Sequence, residues 1–331
     1  MQHIPREEAT KYEFGPDMEA ALSVQPGERF QVETWDARAG LMFDDDRETW
    51  VGDEAPTLEG GPPAGRANPV AGPIYVDGAT TGDVLAVHVE EIVPAEVGWT
   101  GLKDSVGVVH DRLGWEELHE DYAQLIHHEP GPSGTTADGT AVVEIGDRRW
   151  EWDLNPHIGT IVTAPGRGRD LTVTSQGSWG GNLDVRHAAA GSTIYLNAYN
   201  RGGQLFLGDV HGCQGDSELT VIADETPAEV TLSVEVIEDA TVPGTMRIET
   251  ADRLVQVDSA KHAGTPQNAL ENCFRDMMTW LVEDHGFSPR QAYLHMSINP
   301  AVECHVYQFI PDAGYVTCGV EYPTDQLAPD E

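Results

Sequence analysis

Four segments of this chain repeat one local pattern: a glycine or proline turn, one or two polar residues, then apolar side chains at alternate positions. They are "PGERFQVETWDA" (26–37), "TGDVLAVHVEEIVP" (81–94), "AGSTIYLNAYN" (190–200) and "PAEVTLSVEVIED" (227–239). A period of two puts every second side chain on one face, and Val, Ile, Thr and Tyr suit a pleated, half-buried surface. The 35 glycines and 21 prolines supply turns between such strands. The segments share no fixed spacing, so a solenoid or propeller is not indicated. The expected fold is mainly β, with antiparallel strands in a sandwich-like or barrel-like arrangement.

Helical spacing is clear only toward the C-terminus. In "PQNALENCFRDMMTWLVEDHG", Leu270, Cys273, Phe274, Met277, Met278 and Leu281 recur with a helical period, and Gly286 ends the run. These residues read as core rather than as a cofactor box. In "SPRQAYLHMS", Ser288 is expected as N-cap, Pro289 as the first helical residue and Gln291 in capping-box register. A strand pair, "ECHVYQFI" and "YVTCGVEYP", follows. The class is therefore β-rich with a smaller αβ portion at the C-terminal end. Residues 1–265 are expected to form the β core and 266–331 to pack on it. Within the core lies an excursion at about 117–155, a loop and hairpin that turns at Gly146-Asp147.

Charge narrows the function classes. The chain of 331 residues has 56 acidic and 19 basic residues, a formal net charge of −37. Lysine occurs only as Lys11, Lys103 and Lys261. The acids are dispersed, as in "LMFDDDRETWVGDE" (41–54) and "VEDHG", which suggests a surface adapted to salt. At ~1 M ionic strength the Debye length is about 3 Å and the self-repulsion is screened. Phosphate binding needs clustered Lys and Arg, so nucleic acid is not an expected partner. No stretch approaches ~18 apolar residues and "MQHIPREEATKYEF" has no apolar signal core, so a cytoplasmic protein without a membrane span is expected. The four cysteines, Cys213, Cys273, Cys304 and Cys318, have no ligand-like spacing and read as reduced.

The chemistry concentrates in two segments. One is "SWGGNLDVRHAAAG" (178–191), where an extended "NLDVR" would place Asn182, Asp184 and Arg186 on one face. The other is "GDVHGCQGDSE" (208–218), where Asp209 and His211 share a strand face before Gly212 and Gly215 turn the chain. Glu218 follows, and Asp224 and Glu225 are expected to close the next strand. A single Asp means little in so acidic a chain. Asp184, Asp209 and His211 stand out because their neighbours are small and apolar. Carboxylate oxygen and imidazole nitrogen suit a divalent cation of the zinc type, with calcium or magnesium as a structural ion the alternative. Asp209 is either a third ligand or the group that orients His211. Glu218 or Glu225 is the candidate general base, and Asn182 a neutral donor for a carbonyl. Gly180, Gly181, Gly212 and Gly215 would let backbone N–H groups approach a small substrate. His110, His119, His127, His128 and His157 are expected at the surface or behind the ligands, with the "HH" pair facing solvent. No GxSxG elbow is present, and no Lys or Arg neighbours Cys213 in sequence to lower its pKa, so a nucleophilic Cys213 is not favoured.

These segments resemble the acetamidase/formamidase family. The family has a GGN-hydrophobic-D segment, a GS(T)-hydrophobic strand and then G-D-x-H-x-x-Q-G-D-G-E. This chain reads "GGNLD" (180–184), "GSTIYL" (191–196), "GQLFLG" (203–208) and "GDVHGCQGDSE". "GPIYVDGATTGDVLAVHVEEIVP" (72–94) and "NPHIGTIVTAP" (155–165) are similar to two further family segments. The departures are Ser217 where the family has glycine, an irregular "YLNAYNRGGQLFLGD", and a poor match around "HHEPGPSGTTADG". The resemblance implies a β-rich homo-oligomer, most simply a dimer, that hydrolyses linear amides such as formamide or acetamide to a carboxylate and ammonia. A non-catalytic metal- or ligand-binding protein on this scaffold, or an amidase for a larger amide, is the alternative.

Overall fold

The four alternating segments become four strands, and they stand side by side. Phe30–Thr34, Ala228–Ile237, Val84–Pro94 and Thr193–Asn197 are consecutive neighbours in a nine-stranded sheet. The computed structural model describes residues 1–42, 66–103 and 107–327. The acid-rich stretch 41–54 lies outside the described residues beyond Met42. Every pairing in the large sheet is antiparallel except that of Gln2–Ile4 with Phe30–Thr34.

A six-stranded sheet lies opposite, in the order Gln176–Gly177, Gly180–Asn182, His157–Thr163, Leu205–His211, Val70–Val76, Leu22–Val24. One apolar core joins the two layers: Ile74, Ile158, Leu205 and Leu207 from the smaller sheet meet Val32, Leu85, Ile194, Val230 and Val257 from the larger. Burying each such side chain contributes roughly 1.5–3 kcal/mol, which makes this contact the main source of stability. The His157–Thr163 and Leu205–His211 strands are buried along their whole length, so each has a second face that also meets protein. That second face carries the site.

The hairpin excursion is a four-stranded antiparallel meander of Val97–Leu102, Tyr122–Glu129, Thr140–Ile145 and Arg148–Asp153. Its last turn falls at Gly146-Asp147, as the sequence predicts, with Gly146 at φ +62°. The helix Pro266–Glu283 starts at the Thr265 cap, and its Ala269, Cys273, Met277 and Leu281 pack on Val316, Val320 and Tyr322. Ser288 and Gln291 form the expected capping box of helix Pro289–Ile298. Glu303–Ile310 and Tyr315–Pro323 extend the large sheet beside Arg253–Ser259. Among the described residues no helix is long and apolar enough to cross a membrane.

One expected strand is absent. "ELTVIADE" does not extend into a sheet; Ser217, Glu218 and Val221 have positive φ values of 76°, 43° and 58°, and the chain coils tightly. Asp224 and Glu225 sit at its end, where Glu225 makes single bridges to Trp99 and His211.

Candidate active site

Asn182, Asp184, Asp209, His211, Glu218 and Glu225 line one cavity of about 260 Å³. Backbone turns, rather than strand alternation, bring them there. Along Leu205–His211, Leu205 and Leu207 face the sandwich core, so simple alternation would send Asp209 inward as well. A φ of +57° at Asp209 reverses the parity: Val210 takes the core position, and Asp209 and His211 face the cavity. The "NLDVR" segment is broken in the same way. Its strand stops at Asn182, Leu183 enters the core and Asp184 turns at φ +53°. Arg186 therefore does not share the face expected for it; it pairs with Asp216 at 2.7 Å instead. Left-handed backbone at three cavity acids, Asp184, Asp209 and Glu218, is the kind of local strain that gathers at functional sites.

Gly159 is what allows the acids to close in. Its carbonyl accepts from the N–H groups of Leu183 and Asp184, at 3.1 and 3.2 Å. A Cβ there would lie 2.7 Å from the Asp209 carbonyl oxygen, 2.9 Å from His211 Cε1 and 3.0 Å from Asp184 Oδ1.

Several neutral groups fix the acids. Asp209 Oδ2 accepts from Asn68 Nδ2 at 2.6 Å and faces the Thr160 hydroxyl at 3.0 Å. Asp184 Oδ2 accepts from Gln308 Nε2. His211 Nδ1 donates to Gln214 Oε1 at 2.9 Å, and Gln214 is itself held by the carbonyls of Asp184 and Tyr307. That bond fixes the imidazole so that Nε2 points toward Asp209 Oδ1 at 3.8 Å and Glu225 Oε1 at 3.7 Å. Asn182 is mostly engaged: Oδ1 accepts from Thr160 at 2.9 Å and Nδ2 donates to the Val173 carbonyl at 3.1 Å.

The electrostatics are severe for groups this deep. Burial, with Asp209 adding to it, pushes the Asp184 carboxyl up to about 7. Burial pushes Glu225 up to about 8, again with Asp209 adding, and drives Glu218 well above the usual range. Burial opposes charge on His211, but Glu225, Asp209 and Asp184 outweigh it and hold its pKa well above 6.5. Buried His157, beside His211, is held down to about 3 and is neutral.

This donor set fits a divalent cation. Asp184 Oδ1, Asp209 Oδ1 and Glu225 Oε2 are buried without a hydrogen-bond partner among the described residues. Ligand atoms of Asp184, Asp209 and His211 lie within 4.8 Å of one another, and so do those of His211, Glu218 and Glu225. Unpaired buried carboxylate oxygens are costly, and a bound cation would offset that cost.

The four glycines do not line this cavity. Gly180 and Gly181 lie in the strand behind it, where a Cβ would strike the carbonyls of Ile161 and Ser175. Gly212 makes room for Asp224, whose Oδ2 would be 2.5 Å from a Cβ. Gly215 lines a separate cavity of about 510 Å³, together with Cys213. The Cys213 thiol is pushed up to about 11, by burial first and Asp224 second. The "HH" pair splits: His127 is exposed, but His128 is buried against Asp224. Gly159, Thr160, Asn68, Gln214 and Gln308 escaped sequence reasoning. Gly159 and Thr160 in "GTIVTAP" and Gln214 in "HGCQGD" are neutral, and neutral residues show no chemistry until their partners are known.

A profile described as the Acetamidase/Formamidase family matches residues 2–171 and 154–326. The formamidase of Methylophilus methylotrophus is 26% identical over 274 residues, which is 68% of this chain and 63% of that protein. This chain thus spans less than two thirds of that formamidase's length. Among solved structures, an acetamidase from Yersinia enterocolitica is 27% identical with a TM-score of 0.80, covering 99% of this chain and 93% of that one. An acetamidase from Bacillus halodurans shares the fold at 24% identity, with a TM-score of 0.79 over 98% of this chain and 97% of that one.

Proposed function

The chain belongs to the acetamidase/formamidase family, and from that premise we propose that it hydrolyses small linear amides to a carboxylate and ammonia. The observation that carries the reading is the group of three buried, unpartnered carboxylate oxygens, on Asp184, Asp209 and Glu225, near His211 in one pocket. At about 260 Å³ the cavity is smaller than the ~300–1,000 Å³ of sites for drug-sized ligands, which favours a formamide- or acetamide-like substrate over a larger amide.

Asp184, Asp209 and His211 would hold a divalent cation, zinc by its donor chemistry, with Glu225 within reach of the same centre. When bound, such a cation supplies a Lewis acid and acidifies water. Glu218 or Glu225 accepts a proton from the attacking water and returns it to the leaving nitrogen, so that RCONH₂ and H₂O become RCOO⁻ and NH₄⁺. Asn182 retains one N–H for the carbonyl oxygen, while Trp99, Val173 and Ile222 keep the pocket apolar. A dimer in a saline cytoplasm completes the proposal.

Metal content and ammonia release of His211→Ala and Asp184→Asn test it. Both variants are expected to lose bound metal and nearly all activity. Full activity together with full metal content in both refutes the reading.

A further inference from the structure

The four-stranded meander of residues 97–153 meets the cavity at Trp99, and a buried side-chain pair lies just behind that contact. His128, on the strand Tyr122–Glu129, has a side chain that is 0% exposed, and that of its partner Asp224 is 3% exposed. His128 Nδ1 donates to the Ala95 carbonyl at 2.6 Å, which turns Nε2 onto the Asp224 carboxylate, 3.0 Å from Oδ2 and 3.2 Å from Oδ1. Two glycines make space for this pair. A Cβ on Gly98 would lie 2.1 Å from Asp224 Oδ1, and one on Gly212 would lie 2.5 Å from Oδ2.

The next residue is Glu225, whose carboxylate faces His211 in the cavity. Asp224 is pinned at its backbone as well: its N–H donates to the Cys213 carbonyl and its carbonyl accepts from Gly212 N–H. Glu225 exchanges backbone hydrogen bonds with Trp99 on the meander, at 2.8 and 3.0 Å. The preceding coil, residues 217–223, belongs to no strand; it touches the strand Glu303–Ile310 through the backbone of Ser217 and has three positive φ angles. Glu225 thus closes a coil, held by its backbone pair with Trp99 and by Ala223 N–H on Oε1 at 3.1 Å, and Asp224 adds a side-chain anchor one residue before it.

We propose that His128 is a positioning residue, which acts through Asp224 to hold the Glu225 carboxylate at the active centre. This rests on the amidase reading for its kinetic consequence but not for its geometry. Residues that orient groups around a metal or catalytic centre typically change activity or metal affinity by about 10–100-fold when removed.

The test compares the full-length wild type with His128→Leu, which removes the donor, and His128→Gln, which retains an N–H for Asp224. His128→Leu is expected to lower kcat for amide hydrolysis about 10–100-fold with KM changed less than about twofold. His128→Gln is expected to recover most of that loss. In crystal structures, the Glu225 carboxylate is expected to leave His211 in His128→Leu and to remain in His128→Gln. If His128→Leu does not fold, Asp224→Asn carries the same comparison, since it keeps shape and removes the charge. Wild-type kcat in the folded variant, or an undisplaced Glu225, overturns the proposal. A displaced Glu225 in a protein whose wild type releases no ammonia from any amide keeps the positioning role and overturns the amidase reading.

Discussion

Ser217 occupies a backbone position that asks for glycine, and replacing it should stabilise the protein. Its φ is +76°, in the left-handed region, where a non-glycine residue pays roughly 1–2 kcal/mol. The conformation is imposed from both sides: Ser217 N–H donates to the Val306 carbonyl at 2.6 Å and its carbonyl accepts from Phe309 N–H at 3.2 Å. The hydroxyl offers little in return, since it lies 3.5 Å from the Val306 oxygen. Ser217→Gly removes the steric penalty and adds about 0.5–1 kcal/mol of unfolded-state entropy, so the net gain is about 0.5–1 kcal/mol. At about 2 cal/mol/K of unfolding entropy per residue, a chain of 331 residues then melts about 1 °C higher. Ser217→Ala keeps the penalty and loses only the weak contact, so its change should stay within about 0.5 kcal/mol. Calorimetry of the three proteins in molar KCl reads the difference. A Ser217→Gly that melts lower than wild type, or a Ser217→Ala that gains as much, refutes the argument from backbone strain.

Three other outcomes follow from the structure. Gly159→Ala, whose Cβ would press on Asp209, His211 and Asp184, should lose most amide hydrolysis and about 1–3 kcal/mol of stability, read by ammonia release and melting. His305 is raised to about 10, by Asp216 first and then Glu321, so its contribution is complete below about pH 6.5 and fades as pH rises toward 10. Burial opposes charge on Glu321, but His187 and His305 hold its pKa far below 4.5, so that contribution is lost as pH falls below this value. The melting advantage of wild type over His305→Gln should therefore be greatest between pH 4.5 and 6.5 and vanish near pH 10, on the order of 1 kcal/mol after solvent screening. An advantage that is flat with pH contradicts it. Finally, with a net charge of −37, melting temperature and circular dichroism should both fall on dialysis from molar KCl to dilute buffer; no change counts against a salt-adapted surface.

Much of the scaffold was legible because its signals are local. Alternation in 81–94 and 227–239 identifies two strands that pair along nearly their full length. Ser288, Pro289 and Gln291 mark a helix start because a cap involves only residues within one turn. Asp184, Asp209 and His211 stand out in "GGNLD" and "GDVHGCQGDSE" by their small, apolar neighbours, and they do line one cavity, whereas Asp216 turns away to Arg186. Alternation points Arg186 at the cavity and "ELTVIADE" into a sheet only on an unbroken extended backbone, and positive φ at Asp184, Glu218 and Val221 breaks it. Glycines beside the acids suggest substrate contacts, yet Gly212 makes room for Asp224 and the distant Gly159 makes room for the acids.

The sequence by itself therefore determined the β class, the C-terminal helices and the short list of groups able to do chemistry. Periodicity, caps and residue type are properties of a few neighbouring residues. Tertiary structure decided which of those groups meet. Positive φ at Asp184, Asp209 and Glu218 redirects each side chain, and those angles are stabilised by contacts with distant segments, such as the Gly159 carbonyl for Asp184 and Asn68 for Asp209. His128 shows the same limit: two adjacent histidines look alike in sequence, and only packing of the meander against Asp224 buries one and leaves the other in solvent.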